Sequence, residues 1–287
     1  MRITLAAALG TCFGVRDAID AAMDESFRNN LTIVGELVHN PQVIAELRAH
    51  GVDMVKSIDE PISTANVMIT AHGAPASMRQ TLEARGFHVF DASCPLVIKV
   101  HNKVASLVRD GFFPVVVGQR DHVEVRGIVG DLAEYDLILD ESDLDRLAGR
   151  DRIGIVCQTT QQLETAERLV RALEQRFPEA QVRFVDTICK PTKDRQRAVR
   201  ELAEQVDLMV VVGGKNSSNT KKLKKVCDDR GVEAYHITGP EELHRSWFVG
   251  KEHVGITAGT STPHAIIDMV AKAIEQMTQM TTGPGDR

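Results

Sequence analysis

The sequence predicts an α/β protein of three pseudo-equivalent units, each a parallel sheet covered by helices. Three observations carry this. Apolar runs alternate with amphipathic stretches along the whole chain, the mark of α/β folds. The runs are continuously apolar, as in parallel strands buried on both faces. The same succession of elements recurs three times, with a cysteine at the head of one helix in each copy.

The first unit opens on the strand-like run Ile3 to Ala8, shortly before Cys12. This start superficially resembles a lipoprotein signal. Its apolar stretch is at the short end of the range and Thr11 is a poor cleavage-site residue, so it reads as the first strand of a cytoplasmic protein. Val15, Ala18, Ile19, Ala22 and Met23 then follow helical spacing. Leu31 to Gly35 is a strand ending in glycine, Val52 to Val55 a short strand, and Val67-Met68-Ile69 a third that runs into Thr70-Ala71-His72-Gly73. In the second unit Val89 to Ser93 leads into Cys94, and Val97, Val100, Val104, Leu107 and Val108 form the helical stripe. Strands follow at Pro114 to Gly118 and Tyr135 to Leu139, then at Ile153 to Cys157 before Gln158-Thr159-Thr160. In the third, Phe184 to Ile188 leads into Cys189, and Val199, Leu202, Ala203 and Val206 mark the helix. Strands at Met209 to Gly213, Val232 to His236 and Val254 to Ala258 complete it, the last ending in Gly259-Thr260-Ser261. From each cysteine to the glycine closing the next strand the distance is 23, 24 and 24 residues. The units are therefore placed at 1–87, 88–181 and 182–281, with a flexible polar tail at 282–287.

Composition narrows the function. The 287 residues carry 34 Lys and Arg against 40 Asp and Glu, a net charge of −6. There is no overall basic field for nucleic acid or an anionic membrane. Aromatics are only 4%, with the single Trp247, which argues against a base-stacking surface. No apolar run reaches the roughly 18 residues of a membrane span. The five cysteines are odd in number, scattered, and form no C-x-x-C pair, so neither a disulfide framework nor a zinc ribbon is expected.

Ligands in such folds gather beyond the carboxyl ends of the strands, where the cysteines and polar loops fall. Cys12, Cys94 and Cys189 occupy equivalent strand-to-helix junctions, an arrangement able to bring three thiols to one pseudo-three-fold axis. Three thiolates suit an iron–sulfur cluster with one iron left without a protein ligand. A three-thiolate zinc site is the competing metal reading, and simple packing of a small apolar side chain is the bland one. Cys157 and Cys227 lie off this register and read as packing residues. His39, His72 and His122, with Ser217, Ser218, Asn219 and Ser261, form an anion receptacle at helix N-termini. Each histidine alone also reads as a surface or capping residue, and Lys215 to Asn219 as a helix-capping loop. Glu124 adds a carboxylate two residues from His122; in isolation it would be a solvated surface residue. Gly213-Gly214-Lys215 matches neither G-x-G-x-x-G nor a P-loop, so no nicotinamide, flavin or Walker fingerprint is present.

Taken together, these stretches resemble the LytB/IspH family, the 4-hydroxy-3-methylbut-2-enyl diphosphate reductases of the non-mevalonate isoprenoid pathway. The match runs through Cys12-Phe13-Gly14-Val15, Val38-His39-Asn40, Ala71-His72-Gly73, Asp91 to Val97 and His122-Val123-Glu124-Val125. It continues through Gln158-Thr159-Thr160, Thr187-Ile188-Cys189, Lys215 to Asn219 and Thr257 to Pro263. The resemblance implies three α/β domains in a trefoil around a central [4Fe–4S] cluster held by Cys12, Cys94 and Cys189. It implies that His39, His72, His122, Ser217, Ser218, Asn219 and Ser261 hold a diphosphate. Glu124 would supply protons, Thr159 would position the substrate hydroxyl, and Thr192 matches a further pocket-side threonine. The implied reaction is reductive dehydroxylation to isopentenyl and dimethylallyl diphosphates. With no nicotinamide or flavin fingerprint, the electrons are expected from a ferredoxin or flavodoxin type donor, and the chain is expected to be a cytoplasmic monomer. Three positions depart from the family pattern: Val123 stands where proline is usual, Thr11 where an aromatic is usual, and Cys157 where a hydroxyl residue is usual. The alternatives are a paralogous [4Fe–4S] reductase with another hydroxylated substrate and a non-catalytic cluster- or zinc-binding phosphometabolite sensor.

Overall fold

A computed structural model describes residues 1–279; the tail expected at 282–287 lies outside them. The elements in chain order are β1 (Arg2–Leu5), α1 (Phe13–Ala22), β2 (Leu31–Val34), α2 (Pro41–Ala49), β3 (Val52–Val55), β4 (Asn66–Ile69) and α3 (Ala76–Ala84). Then come β5 (His88–Asp91), α4 (Pro95–Arg109), β6 (Phe113–Val117), α5 (Val123–Val129), β7 (Asp136–Ile138), β8 (Arg152–Cys157), α6 (Leu163–Arg176) and β9 (Gln181–Phe184). The last are α7 (Lys190–Ala203), β10 (Leu208–Val212), α8 (Ser218–Asp229), β11 (Glu233–Ile237), β12 (His253–Ala258) and α9 (His264–Gln279). Among the described residues the strands form three four-stranded, wholly parallel sheets, ordered β3-β2-β4-β5, β7-β6-β8-β9 and β11-β10-β12-β1. The three orders are the same pattern repeated. The predicted α/β class and parallel pairing hold.

The continuous apolar runs are explained by packing on both faces. Along β10, Leu208, Val210 and Val212 join a core with Ile266, Ile267 and Val270 of α9. The alternating Met209 and Val211 pack on Val199 and Leu202 of α7 and Leu223 of α8. Likewise Val115 and Val117 of β6 face Leu169 and Leu173 of α6, while Val116 faces Val100 and Val104 of α4. The period-2 geometry of a strand requires both faces to be apolar when helices cover both.

The pairing departs from the sequence-based units at one recurring point. The strand that leads into each cysteine closes the sheet of another unit, not its own: β5 pairs β4, β9 pairs β8, and β1 pairs β12. The helix after each cysteine packs on the next sheet; α4, for example, covers Val116 of β6. Each cysteine therefore sits where the chain leaves one sheet for another. Two of these leading strands differ from the expected runs: β1 spans Arg2–Leu5, where the run was Ile3 to Ala8, and β9 spans Gln181–Phe184, so the run Phe184 to Ile188 falls almost wholly in the loop before Cys189. On α4 the stripe ends at Leu107; Val108, one residue further round, is exposed.

Two compact units are distinguished by their internal contacts. One comprises Met1–Phe13, His39–Pro41 and the chain from Lys190, and contains the sheet β11-β10-β12-β1. The other comprises Gly14–Val38 and Gln42–Cys189, and contains the other two sheets. None of the helices among the described residues is long and apolar enough to cross a membrane.

Candidate active site

The three cysteine joints are built alike. The Cys12 amide donates to the Thr260 carbonyl at 3.1 Å, Cys94 to Ala71 at 3.1 Å, and Cys189 to Thr159 at 3.1 Å. Each acceptor lies in the loop just after the sheet's neighbouring strand, so one hydrogen bond sets each cysteine against the polar loop next to it. None of the three is in a disulfide among the described residues and all three are partly accessible, whereas Cys157 and Cys227 are fully buried. Burial pushes the Cys227 thiol up to about 12, which keeps it an inert thiol. Beside Cys94 the chain carries Gly14, where a Cβ would stand 2.4 Å from Sγ. Glycine there leaves the sulfur room.

In the larger unit Glu124 is not the solvated residue its type suggests. It is 2% exposed, in the first turn of α5. Its Oε1 accepts the Thr159 amide at 2.6 Å and its Oε2 the Thr159 hydroxyl at 2.9 Å. Burial raises the carboxyl to about 7, overriding the two Thr159 hydrogen bonds that favour the anion. A carboxyl so poised exchanges a proton at neutral pH. His122 caps α5, its Nδ1 accepting the Glu124 amide at 3.1 Å. Acceptance at Nδ1 puts the proton of the neutral ring on Nε2. The capping reading of His122 and the ligand reading are thus compatible. His72 lies with its ring centroid 5.8 Å from that of His122, edge to face.

In the other unit the first turn of α8 is set deep between glycines. A Cβ at Gly213 or Gly259 would come within 2.5 or 2.1 Å of the Thr220 hydroxyl oxygen. Ser217 caps the helix, its Oγ accepting the Thr220 amide at 3.3 Å, an arrangement that keeps the hydroxyl proton for another partner. Ser218 and Asn219 are buried, and among the described residues neither the amide nitrogen nor the oxygen of Asn219 has a hydrogen-bond partner. The Ser261 hydroxyl donates to the His39 carbonyl at 3.2 Å, and Gly214 lets that same carbonyl approach where a Cβ would be 2.2 Å away. His39, Ser217, Ser218, Asn219 and Ser261 thereby belong to one unit. Glu124, Thr159, His72, His122, Cys94 and Cys189 belong to the other. Thr192 is fully buried on α7.

The family model for the LytB protein matches residues 3–275. The chain belongs to the LytB family. A 4-hydroxy-3-methylbut-2-enyl diphosphate reductase of Neisseria meningitidis serogroup B is 38% identical over 291 residues, covering 99% of this chain and 90% of the relative. A solved (E)-4-hydroxy-3-methyl-but-2-enyl diphosphate reductase, described as the terminal enzyme of the non-mevalonate pathway, is 35% identical with a TM-score of 0.68. It covers 96% of this chain and 100% of its own. The E-1-hydroxy-2-methyl-but-2-enyl-4-diphosphate reductase of Plasmodium falciparum, 25% identical, superposes with a TM-score of 0.86 over 99% of this chain and 88% of its own.

The departures from the LytB family pattern have local explanations. Proline suits the first position of a helix, but Val123 occupies it without displacing Glu124, because the His122 cap and the Thr159 bonds hold that turn. Thr11 uses its hydroxyl to donate to the Thr262 carbonyl at 2.9 Å, tying down the residue before Cys12. Cys157 joins the apolar core as the last residue of β8. Sequence reasoning missed Arg195. Its buried guanidinium donates to the Gly10 carbonyl from Nε (3.1 Å) and Nη2 (2.6 Å), bracing the approach to Cys12. The signal was there: Arg195 stands four residues before Val199, on the buried stripe of α7.

Proposed function

We propose that the chain is a 4-hydroxy-3-methylbut-2-enyl diphosphate reductase. It removes the allylic hydroxyl of (E)-4-hydroxy-3-methylbut-2-enyl diphosphate with two electrons and two protons, releasing water and giving isopentenyl and dimethylallyl diphosphates. The observation that carries this reading within the LytB family is the buried Glu124–Thr159 pair, a carboxyl poised near neutrality and fixed by a single neighbour.

Cys12, Cys94 and Cys189 would hold a [4Fe–4S] cluster. Three partly accessible cysteines at equivalent joints fit that donor set, as does the space that Gly14 leaves at Cys94. When bound, the cluster supplies electrons one at a time and an iron without a protein ligand for Lewis-acid chemistry. The rest falls to side chains. His39, His72, His122, Ser217, Ser218, Asn219 and Ser261 bind the diphosphate. His122 donates from Nε2, and the open amide of Asn219 supplies a buried N–H without a partner among the described residues. Thr159 orients the substrate hydroxyl. Hydroxide is a poor leaving group, so the bond breaks only as a proton reaches the departing oxygen, and Glu124 delivers it. The dinucleotide fingerprint is absent, so the reductant is an electron carrier of the ferredoxin or flavodoxin class, met by a cytoplasmic monomer.

Anaerobically purified protein given the hydroxylated allylic diphosphate and a chemical reductant should release both isomeric diphosphates. Serine at Cys12, Cys94 or Cys189 should abolish iron binding, while Cys157→Ser and Cys227→Ser should keep it. Iron-loaded protein that leaves the substrate intact would overturn the reading.

A further inference from the structure

We propose that Asp131 is a positioning residue for His72, latching the His72–Gly73 loop onto the helix that carries Glu124. The proposal rests on the reading of His72 as a diphosphate ligand.

Helix α3, which follows that loop, has no cap of its own: Pro75 precedes it and offers no side-chain acceptor. The acceptor comes from 55 residues further along the chain. Asp131 Oδ2 takes the Ala76 amide at 2.5 Å, and Oδ1 takes the Ser77 amide at 3.3 Å and the Ser77 hydroxyl at 2.5 Å. A carboxylate at a helix N-terminus also complements the helix dipole. Burial opposes its ionisation, but the bonds from Ser77 and Ala76 prevail and hold the carboxyl below the ordinary carboxylate range. The latch is therefore set at any pH where the enzyme would work.

Asp131 lies two residues beyond the end of α5, just after its C-cap Gly130, and that helix is shaped to receive the loop. Gly127 and Gly130 lie one turn apart. A Cβ at Gly127 would stand 3.3 Å from the Gly73 carbonyl oxygen and 3.5 Å from the Ala74 Cα; at Gly130 it would stand 2.3 Å from Pro75 Cγ. The loop thus lies on bare helix backbone. On its other side Gly73, at φ +77°, rests on α4, where a Cβ would meet Val97 Cγ1 at 2.9 Å and His101 Nε2 at 3.3 Å. The segment carrying His72 is gripped between the helix headed by Cys94 and the helix headed by His122. Its ring is 5.8 Å from that of His122. One helix, α5, carries the acid and the capping histidine at its start and the dock for the second histidine at its end. Misplacement of a binding group by about 1 Å can cost as much as 10²-fold in rate, which is why such a latch matters. Asp131 itself is exposed, so its removal frees the loop without opening a core.

The test uses the full chain with its cluster and compares wild type, Asp131→Ala, Asp131→Asn, His72→Ala and the Asp131→Ala/His72→Ala pair. Affinity for inorganic pyrophosphate is measured alongside steady-state kinetics. Asp131→Ala should raise KM for the diphosphate about tenfold and weaken pyrophosphate alike, with kcat within about threefold of wild type. Asp131→Asn, which keeps an acceptor oxygen, should recover part of the loss. In the His72→Ala background Asp131→Ala should add nothing, because the two act through one contact. A cap with only a structural role would lower the melting temperature and leave KM and pyrophosphate affinity where they were. Wild-type affinity in Asp131→Ala, with His72→Ala impaired, sinks the latch alone. Wild-type affinity in His72→Ala sinks the ligand reading of His72, and the latch with it.

Discussion

Glu124 and Asn219 hold the same place in two copies of the repeat, and their surroundings could hardly differ more. Each is the second residue of the helix that follows a central strand, α5 after β6 and α8 after β10, and each is 2% exposed. Glu124 has both carboxyl oxygens occupied by Thr159. Among the described residues Asn219 has neither its oxygen nor its nitrogen occupied. An unmade hydrogen bond at a buried polar atom costs about 1–3 kcal/mol, so an amide left open on both sides is held ready for something that arrives. The contrast separates two duties that a common scaffold can serve. A side chain satisfied by its own protein keeps and exchanges a proton, and a side chain left unsatisfied binds a ligand.

The sharpest way to break this comparison is Glu124→Gln. The variant keeps shape and removes the transferable proton, so turnover should fall roughly 10²–10⁴-fold, with iron content and substrate affinity retained. Near-normal turnover with an intact cluster would show that Glu124 is not the acid. The same substitution tests the energetics. The folded chain holds the Glu124 proton up to about pH 7, against 4.5 for an ordinary glutamate. Folding stability therefore declines by about 3 kcal/mol as pH rises from the lower value to the higher, and is flat in this respect beyond it. Urea unfolding across that range should show the decline in wild type and its loss in Glu124→Gln. Next in size, Asn219→Ala should weaken diphosphate binding tenfold or more. It should leave the melting temperature of the ligand-free protein unchanged or higher, because two unpaired buried atoms are gone. A marked loss of stability would mean that Asn219 serves the fold. Smallest, Thr159→Val removes one of the two bonds favouring the Glu124 anion. The alkaline limb of the pH–rate profile should move up by about one unit, and an unmoved limb would detach Thr159 from the acid.

Much of this was legible in the chain because it depends on local pattern. The apolar runs of β6, β8, β10 and β12 announce strands covered on both faces, and the cysteine-to-glycine spacing announces the repeat. The pairing of β1, β5 and β9 with the sheets of other units was not legible, since an apolar strand packs equally well on either neighbour. Nor was the burial of Glu124: its own residue type points outward, and only the distant Thr159 draws it in. The caps from His122 and Ser217 follow from residue type and position, whereas the cap that Asp131 supplies to α3 spans 55 residues and leaves no local mark.

The pairing of β1 with β12 also sets a clock. Arg2 lies opposite His253, 251 residues away in the chain. At synthesis rates of about 5–20 residues per second, the N-terminal strand emerges on the order of 10–50 s before its partner. During that interval Leu5 and its neighbours have no sheet to join, and the Thr260 carbonyl that fixes the Cys12 amide does not yet exist. Cys94 and Cys189 find their acceptors in Ala71 and Thr159, a few dozen residues upstream, as soon as they are made. The first cysteine translated is the last to be seated, so a chain arrested before its final strand cannot complete the set.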